Sequence, residues 1–192
     1  MMKGKIIILS APSGSGKSSI IARLIDKEDL QLGFSISATS RSPRGEERDG
    51  VEYYFLSPEE FDRRVKAGDF VEWEEVYAGT CYGTLRSEVE RVVGCGRNLI
   101  MDVDVKGGVR LKEIFGDDAI SIFIMPPSVE ELERRLRGRA TDSDDTIRRR
   151  LAKAEYELTF APRYDTVIVN DQLDRAAAET ETTIRRFITP SC

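Results

Sequence analysis

The chain has 192 residues, with 29 lysines and arginines against 34 aspartates and glutamates, a net charge of -5, and no histidine. That balance argues against nucleic acid as a partner and suits a small anionic ligand, while the missing histidine excludes imidazole bases and imidazole-bound metals. Three cysteines (Cys81, Cys95, Cys192) without metal-ligand spacing, no leader pattern near the N-terminus, and no apolar run near the ~18 residues of a membrane span predict one reduced, cytoplasmic domain.

In chain order, the apolar run "KIIIL" (Lys5 to Leu9) predicts a buried strand, and "SAPSGSGKSS" (Ser10 to Ser19) predicts the turn from that strand into a helix beginning "IIARLI". Further buried strands are predicted at "LGFSIS" around Phe34, "NLIMDVD" from Asn98, "AISIFIM" from Ala119 and "DTVIVND" from Asp165. Alternating with helices, the five strands make a parallel sheet and an α/β fold. Between about Thr39 and Thr84 the rhythm changes. "VEYYFL", a helix opened by Ser57-Pro58-Glu59-Glu60, and the alternating "DFVEWEEVY" read as a small mixed lobe, with Phe70, Glu72, Glu74 and Val76 on one side and Val71, Trp73, Glu75 and Tyr77 on the other. Ser128-Val129-Glu130-Glu131 predicts another helix start, and the polar "RGRATDSDD" (Arg137 to Asp145) interrupts the helical pattern before "TIRRRLAKAEYEL" restores it, as a movable lid would. The chain contains no internal repeat.

The turn after the first strand carries the chemistry of a phosphate loop. Successive backbone N–H groups at a helix N-terminus favour an anion, Gly14 and Gly16 let the backbone approach it, Lys17 reaches the β- and γ-phosphates, and the Ser18 hydroxyl can ligate Mg²⁺. The strict pattern G-x-x-x-x-G-K-[ST] has Ala11 where glycine is expected. The plain alternative is a Gly/Ser-rich turn with a solvated Lys17. Asp102 and Asp104 alternate with Val103 at a strand's C-terminal end, where open α/β sheets bind ligands, and suit a metal-and-substrate site as well as the start of a loop. Arginines recur in "LERRLRGR" and "TIRRRL". They read either as a solvated basic helix face or, flanking a polar insertion, as cations brought to a transferred phosphoryl group.

Taken together, "SAPSGSGKSS", "FSISATSRSPRGEERDGVEYYF", "DFVEWEEVYAGTCYGT", "LIMDVDVKGG", "PPSVEELERRLRGRATDSDDTIRRRL" and "VIVNDQLD" resemble guanylate kinase in order and approximate spacing over nearly the whole chain. The resemblance implies a three-layer P-loop nucleoside monophosphate kinase fold. A single domain, residues 1–192, would comprise a core (1–38, 85–137 and 151–192), a GMP-binding lobe (39–84) and a lid (138–150). The implied reaction is ATP-dependent phosphorylation of GMP, and of dGMP, to the diphosphate, with Mg²⁺ accompanying ATP. Small-molecule substrates are then the expected partners, with no nucleic acid and no membrane; oligomeric state stays open.

Carried over by motif, Ser37 and Thr84 match hydroxyls on guanine, Glu72 its selector, and Asp104 a further base-side carboxylate. Arg41, Arg44, Tyr53 and Tyr82 match groups on the GMP phosphate, with Glu47 in the same network. Ser13, Gly14, Ser15, Gly16, Lys17, Ser18 and Ser19 match the ATP loop, Arg135, Arg139 and Arg150 match arginines around the ATP phosphates and the transferred group, and Asn170 and Asp171 an adenine-side strand end. Asp102 matches a carboxylate linked to the metal through water and placed beside the acceptor. The expected catalytic set is Lys17, Arg44, Arg139, Arg150 and Asp102. Two other readings share parts of this pattern. An interaction module of the same fold would not need Gly14, Gly16, Lys17 and Ser18 intact, and a kinase of a ribose phosphate would not need Ser37, Glu72 and Thr84.

Overall fold

The computed structural model describes residues 4–138 and 144–189. Five parallel strands, β1 (Ile6–Ser10), β2 (Leu32–Phe34), β7 (Asn98–Asp102), β8 (Ala119–Met125) and β9 (Thr166–Val169), form one sheet in the order β2-β7-β1-β8-β9. All its pairs are parallel, as the uninterrupted apolar runs predict for strands covered on both faces. The alternation of β1 splits its side chains between two cores. Ile7 and Leu9 pack with Ile20, Leu24 and Ile184 from α1 (Lys17–Leu24) and α7 (Leu173–Ile188). Ile6 and Ile8 pack with Val89, Val92 and Leu111 from α3 (Arg86–Val93) and α4 (Val105–Phe115). Helix, sheet and helix thus make three layers, with the strand ends that carry Ser10 and Asp102 on one rim.

The lobe is a four-stranded sheet, ordered β4-β3-β6-β5, built from β3 (Ala38–Thr39), β4 (Tyr54–Phe55), β5 (Phe70–Tyr77) and β6 (Thr80–Leu85). Helix α2 (Pro58–Ala67) covers it through Phe61, which packs with Ala38, Phe70 and Leu85. The predicted strand around Phe34 stops at Phe34: the chain leaves the main sheet there and enters the lobe sheet at Ala38, so "SIS" is a crossing between two sheets. The strict alternation expected of "DFVEWEEVY" is also broken. A register irregularity between Phe70 and Glu72 inserts Val71. Phe70 and Trp73 then both meet the Phe61 ring, at 4.5 and 6.4 Å between centroids, and Glu72 turns away from them.

Both predicted serine caps are present. Ser57 Oγ accepts from Glu60 N–H and Ser128 Oγ from Glu131 N–H, each at 3.1 Å. Ser128 opens α5 (Val129–Arg137), whose Leu132 and Leu136 pack against Ala154 of α6 (Asp144–Leu158). The polar segment between these helices lies outside the described residues. No helix among the described residues is long and apolar enough to cross a membrane.

Candidate active site

The loop after β1 turns through two left-handed glycines, Gly14 at φ 93° and Gly16 at φ 89°. A side chain at Gly16 would also collide with the Asn170 amide, so glycine is required there twice over. Ala11 has no such demand. Its φ is not positive and its methyl packs on the core beneath the loop, so the departure from the strict motif costs the backbone nothing. Asn170, 3 % exposed, donates from Nδ2 to the Ser15 carbonyl at 2.7 Å, and its own carbonyl accepts from Arg135 Nη2 at 2.9 Å. Asn170 and Arg135 are thereby joined behind the loop, with Arg135 also anchored to Glu131 at 2.8 Å.

Lys17 is the first residue of α1. Its ammonium ion-pairs with Asp102 at the end of β7 and donates to the Val103 carbonyl at 3.2 Å. Asp104 has a second duty that its spacing from Asp102 does not reveal. It is the N-cap of α4, its Oδ1 accepting from Lys106 N–H at 2.8 Å and Gly107 N–H at 3.1 Å. Ser10 Oγ donates to the Asp104 carbonyl at 3.2 Å, fixing the two strand ends to each other.

Facing this loop, the lobe contributes a buried acid. Glu72 is 6 % exposed and its Oε1 accepts from Thr84 Oγ1 at 2.9 Å, across the β5–β6 pair. Burial pushes its pKa up to about 7; the nearby Asp104 carboxylate adds to the rise, and the Thr84 hydroxyl and Arg110 oppose it. Ser37, Tyr53, Glu72, Tyr82, Asp102 and Asp104 line one cleft together with Ser13, Gly14, Ser15, Gly16, Lys17, Ser18 and Ser19. Its volume of about 430 Å³ falls in the range of small-molecule sites, ~300–1,000 Å³. Thr84 stands behind Glu72, fully buried.

Arg41, Arg44, Glu47, Arg150 and Asp171 are not among the residues that line the cleft. Arg41 holds Glu47 through two bonds of 2.6 and 2.8 Å, donates from Nε to the Tyr82 hydroxyl at 3.1 Å, and stacks 5.0 Å from the Tyr53 ring centre. The Arg41 guanidinium and the Arg44 N–H hold the Glu47 carboxyl down at about 2. Arg44 is exposed and borders a separate depression with Glu46, Glu47, Arg48 and Glu52, so its side chain is not in the cleft lining. Asp171 is not there either. It accepts from Gln172 N–H at 2.6 Å and from Arg175 at 2.5 Å, at the start of α7. Arg150 is half-buried on α6, and Arg139 lies outside the described residues.

One cleft residue escaped the motif reading. Glu157, 7 % exposed in the last turns of α6, lines the cleft beside the loop, and its Oε2 has no hydrogen-bond partner. Burial raises its pKa, against the pull of Lys153, Lys17 and the Ser13 amide. A signal was available, since Glu157 continues the inward stripe of Ile147 and Ala154 at helical spacing, where an apolar residue is expected.

Among the described residues no three or more histidines, cysteines or acids group as a metal site. The donor set at the loop, the exposed Ser18 hydroxyl with Asp102 across the cleft, fits a cation that rests mainly on phosphate oxygens.

Residues 3–187 match the family model "Guanylate kinase". The chain is 56 % identical over 187 residues to guanylate kinase of Bacteroides thetaiotaomicron, covering 97 % of this chain and 91 % of that one. It is 55 % identical over 184 residues to guanylate kinase of Porphyromonas gingivalis, covering 96 % and 98 %. The crystal structure of guanylate kinase from Anaplasma phagocytophilum superposes with a TM-score of 0.76 at 32 % identity, over 98 % of this chain and 88 % of that one.

Proposed function

The chain belongs to the guanylate kinase family and phosphorylates GMP to GDP with ATP, and from that premise we propose which of its residues perform each part. The observation that carries the assignment is the shared cleft, in which the glycine loop and the Glu72–Thr84 pair look at the same space. The loop amides of Ser13 to Ser19 and the Lys17 ammonium take the ATP phosphates, with Arg135 and Asn170 bracing the loop from behind. Ser18, together with phosphate oxygens, would hold Mg²⁺, which would supply neutralising charge there. Asp102 competes with the incoming phosphates for Lys17, so the ammonium is already at the strand end where they arrive.

On the acceptor side, Glu72 accepts from guanine N1–H and N2–H₂, an arrangement that adenine, with an acceptor at N1, cannot match. Ser37 and Thr84 serve the remaining base edge, with Asp104 alongside, and Arg41, Tyr53 and Tyr82 receive the phosphate. Arg41 must trade part of its grip on Glu47 for that phosphate, a bidentate exchange that suits a guanidinium. The acceptor phosphate is largely dianionic near neutral pH and attacks the γ-phosphorus in line, so no side-chain base is needed. Arg44, Arg139 and Arg150 add positive charge when the lobe (39–84) and the lid (138–150) close over the cleft and exclude water. dGMP presents the same base edge and the same phosphate to these residues, so the proposed substrate range includes it. Both substrates are small and neither nucleic acid nor membrane is required, consistent with a cytoplasmic enzyme.

Assaying ADP formation with GMP, AMP and a ribose bisphosphate as acceptors tests the reading. GMP alone should support rapid turnover. Equal use of a ribose phosphate would remove the base-reading role, and no turnover with any acceptor would leave only a binding module.

The raised pKa of Glu72 makes a separate prediction. Guanine needs the charged carboxylate, and below about 7 the protein must first release a proton there. Guanosine, which carries no phosphate to titrate, should therefore bind roughly tenfold more weakly for each pH unit below that midpoint and level off above it. Calorimetric titrations between pH 5.5 and 8 read this out. A flat profile would mean that the carboxylate does not meet the base.

A further inference from the structure

Two chain crossings join the main sheet to the lobe: residues 35–37, leading from β2 into β3, and the Leu85–Arg86 junction, leading from β6 into α3. One buried acid, just past the second crossing, reaches the first crossing and the lobe. Glu88 stands in the first turn of α3 and is 2 % exposed. Its Oε2 accepts from Ile36 N–H in the first crossing at 3.0 Å, and its Oε1 accepts from the Tyr54 hydroxyl on lobe strand β4 at 2.8 Å. Arg91, one turn further along α3, clamps both oxygens at 2.8 Å and donates to the Phe34 carbonyl at 3.3 Å.

Burial alone would raise the pKa of Glu88; the bonds from Arg91, Ile36 and Tyr54 outweigh it and leave the carboxyl below the usual range. A carboxylate taken out of water on these terms, with its lone pairs engaged, fixes the relative position of everything it binds. What it binds is one residue away from the cleft at two points. Ile36 precedes Ser37 and Tyr54 follows Tyr53, and both Ser37 and Tyr53 line the cleft. The two segments are also tied to each other, Tyr54 N–H donating to the Ser37 carbonyl at 2.9 Å.

We propose that Glu88 is a positioning residue for the acceptor nucleotide, pinning the lobe to α3 so that Ser37 and Tyr53 face the glycine loop at the spacing transfer requires. This rests on the reading of the lobe as the GMP site. It acts through Ile36 and Tyr54, touches no substrate, and makes the lobe's attachment specific at the point where the chain passes between the sheets.

The test separates GMP from ATP. Glu88→Gln keeps the shape but offers a donor where Tyr54 or Arg91 also donates, and should raise KM for GMP about tenfold while KM for ATP stays within about twofold. Tyr54→Phe removes one bond with no change of packing and should raise KM for GMP about threefold to tenfold, again sparing ATP; it carries the test if the Gln variant does not fold. Glu72→Gln is assayed alongside. If Glu72→Gln weakens GMP use but Glu88→Gln and Tyr54→Phe leave KM for GMP unchanged, or shift both nucleotides alike, Glu88 is a structural ion pair and the proposal falls. If Glu72→Gln itself leaves GMP use intact, the reading of the lobe as the GMP site fails first.

Discussion

Replacing Lys17 by alanine is expected to lower turnover by roughly 10³-fold while KM for GMP changes little, because in the proposed mechanism the ammonium acts on the phosphoryl group in flight and not on the acceptor base. The side chain is mostly buried and already directed at the end of β7, where Asp102 and the Val103 carbonyl hold it. Preorganisation of this kind is what makes a charge effective in a transition state, since no further reorientation is needed when charge spreads over the transferred oxygens. The substitution also leaves Asp102 without its cation, and a carboxylate so exposed to incoming phosphates would itself repel them. Asp102→Asn in the Lys17→Ala background removes that repulsion. Turnover should stay low in the double variant if the ammonium is what the reaction needs. Near-normal turnover in Lys17→Ala, with a native melting transition, would remove Lys17 from the mechanism.

Glu72→Gln should cost roughly 10³-fold in kcat/KM for GMP, with KM for ATP unaffected. An amide keeps the volume, but it presents at most one acceptor and puts an NH₂ group against a base edge that only donates there. The loss is therefore an unpaired buried donor pair and not a missing contact, which is why the figure exceeds that of an ordinary hydrogen bond. Stability should move the other way. A carboxyl whose folded pKa is raised contributes stability that is fully present below its unfolded value near 4.5 and is lost as pH rises through about 7. At pH 8 the native protein holds a buried charge at a cost that the neutral amide does not bear, so the variant should melt higher than the parent at pH 8 and lose that advantage near pH 5. A variant that is less active and less stable at pH 8 would point to Glu72 as a strut of the β5–β6 pair and not as a reader of the base.

Much of the fold follows from local patterns. The five apolar runs, the two serine caps and the glycine turn are each set within about ten residues by side-chain period, by hydrogen bonds to nearby amides, or by left-handed backbone. The same is true of the loop's shape, because Gly14 and Gly16 turn left-handed within their own stretch of backbone, directly before Lys17 and Ser18. The crossing at residues 35–37 was less legible, since "LGFSIS" continues the strand pattern past Phe34 and nothing local marks the change of sheet. Alternation in "DFVEWEEVY" misled for a related reason: one inserted residue, Val71, reverses the phase from Glu72 to Glu75, and the insertion is defined only by the pairing with β6.

What the sequence by itself determined, then, is a glycine loop opening a helix on a parallel α/β core with a small mixed lobe, and it named Lys17 and Glu72 as the candidates for phosphate and base. Tertiary structure alone decided how those parts are held. Asn170 braces Ser15 from 155 positions away, Asp104 caps α4 while lining the cleft, Glu157 reaches the loop from α6, and Glu88 ties the first crossing and strand β4 to α3. The physical reason is range. Period and capping depend on neighbours in the chain, whereas a buried polar group is stable only where packing delivers a partner, and that partner is chosen by the way the layers stack.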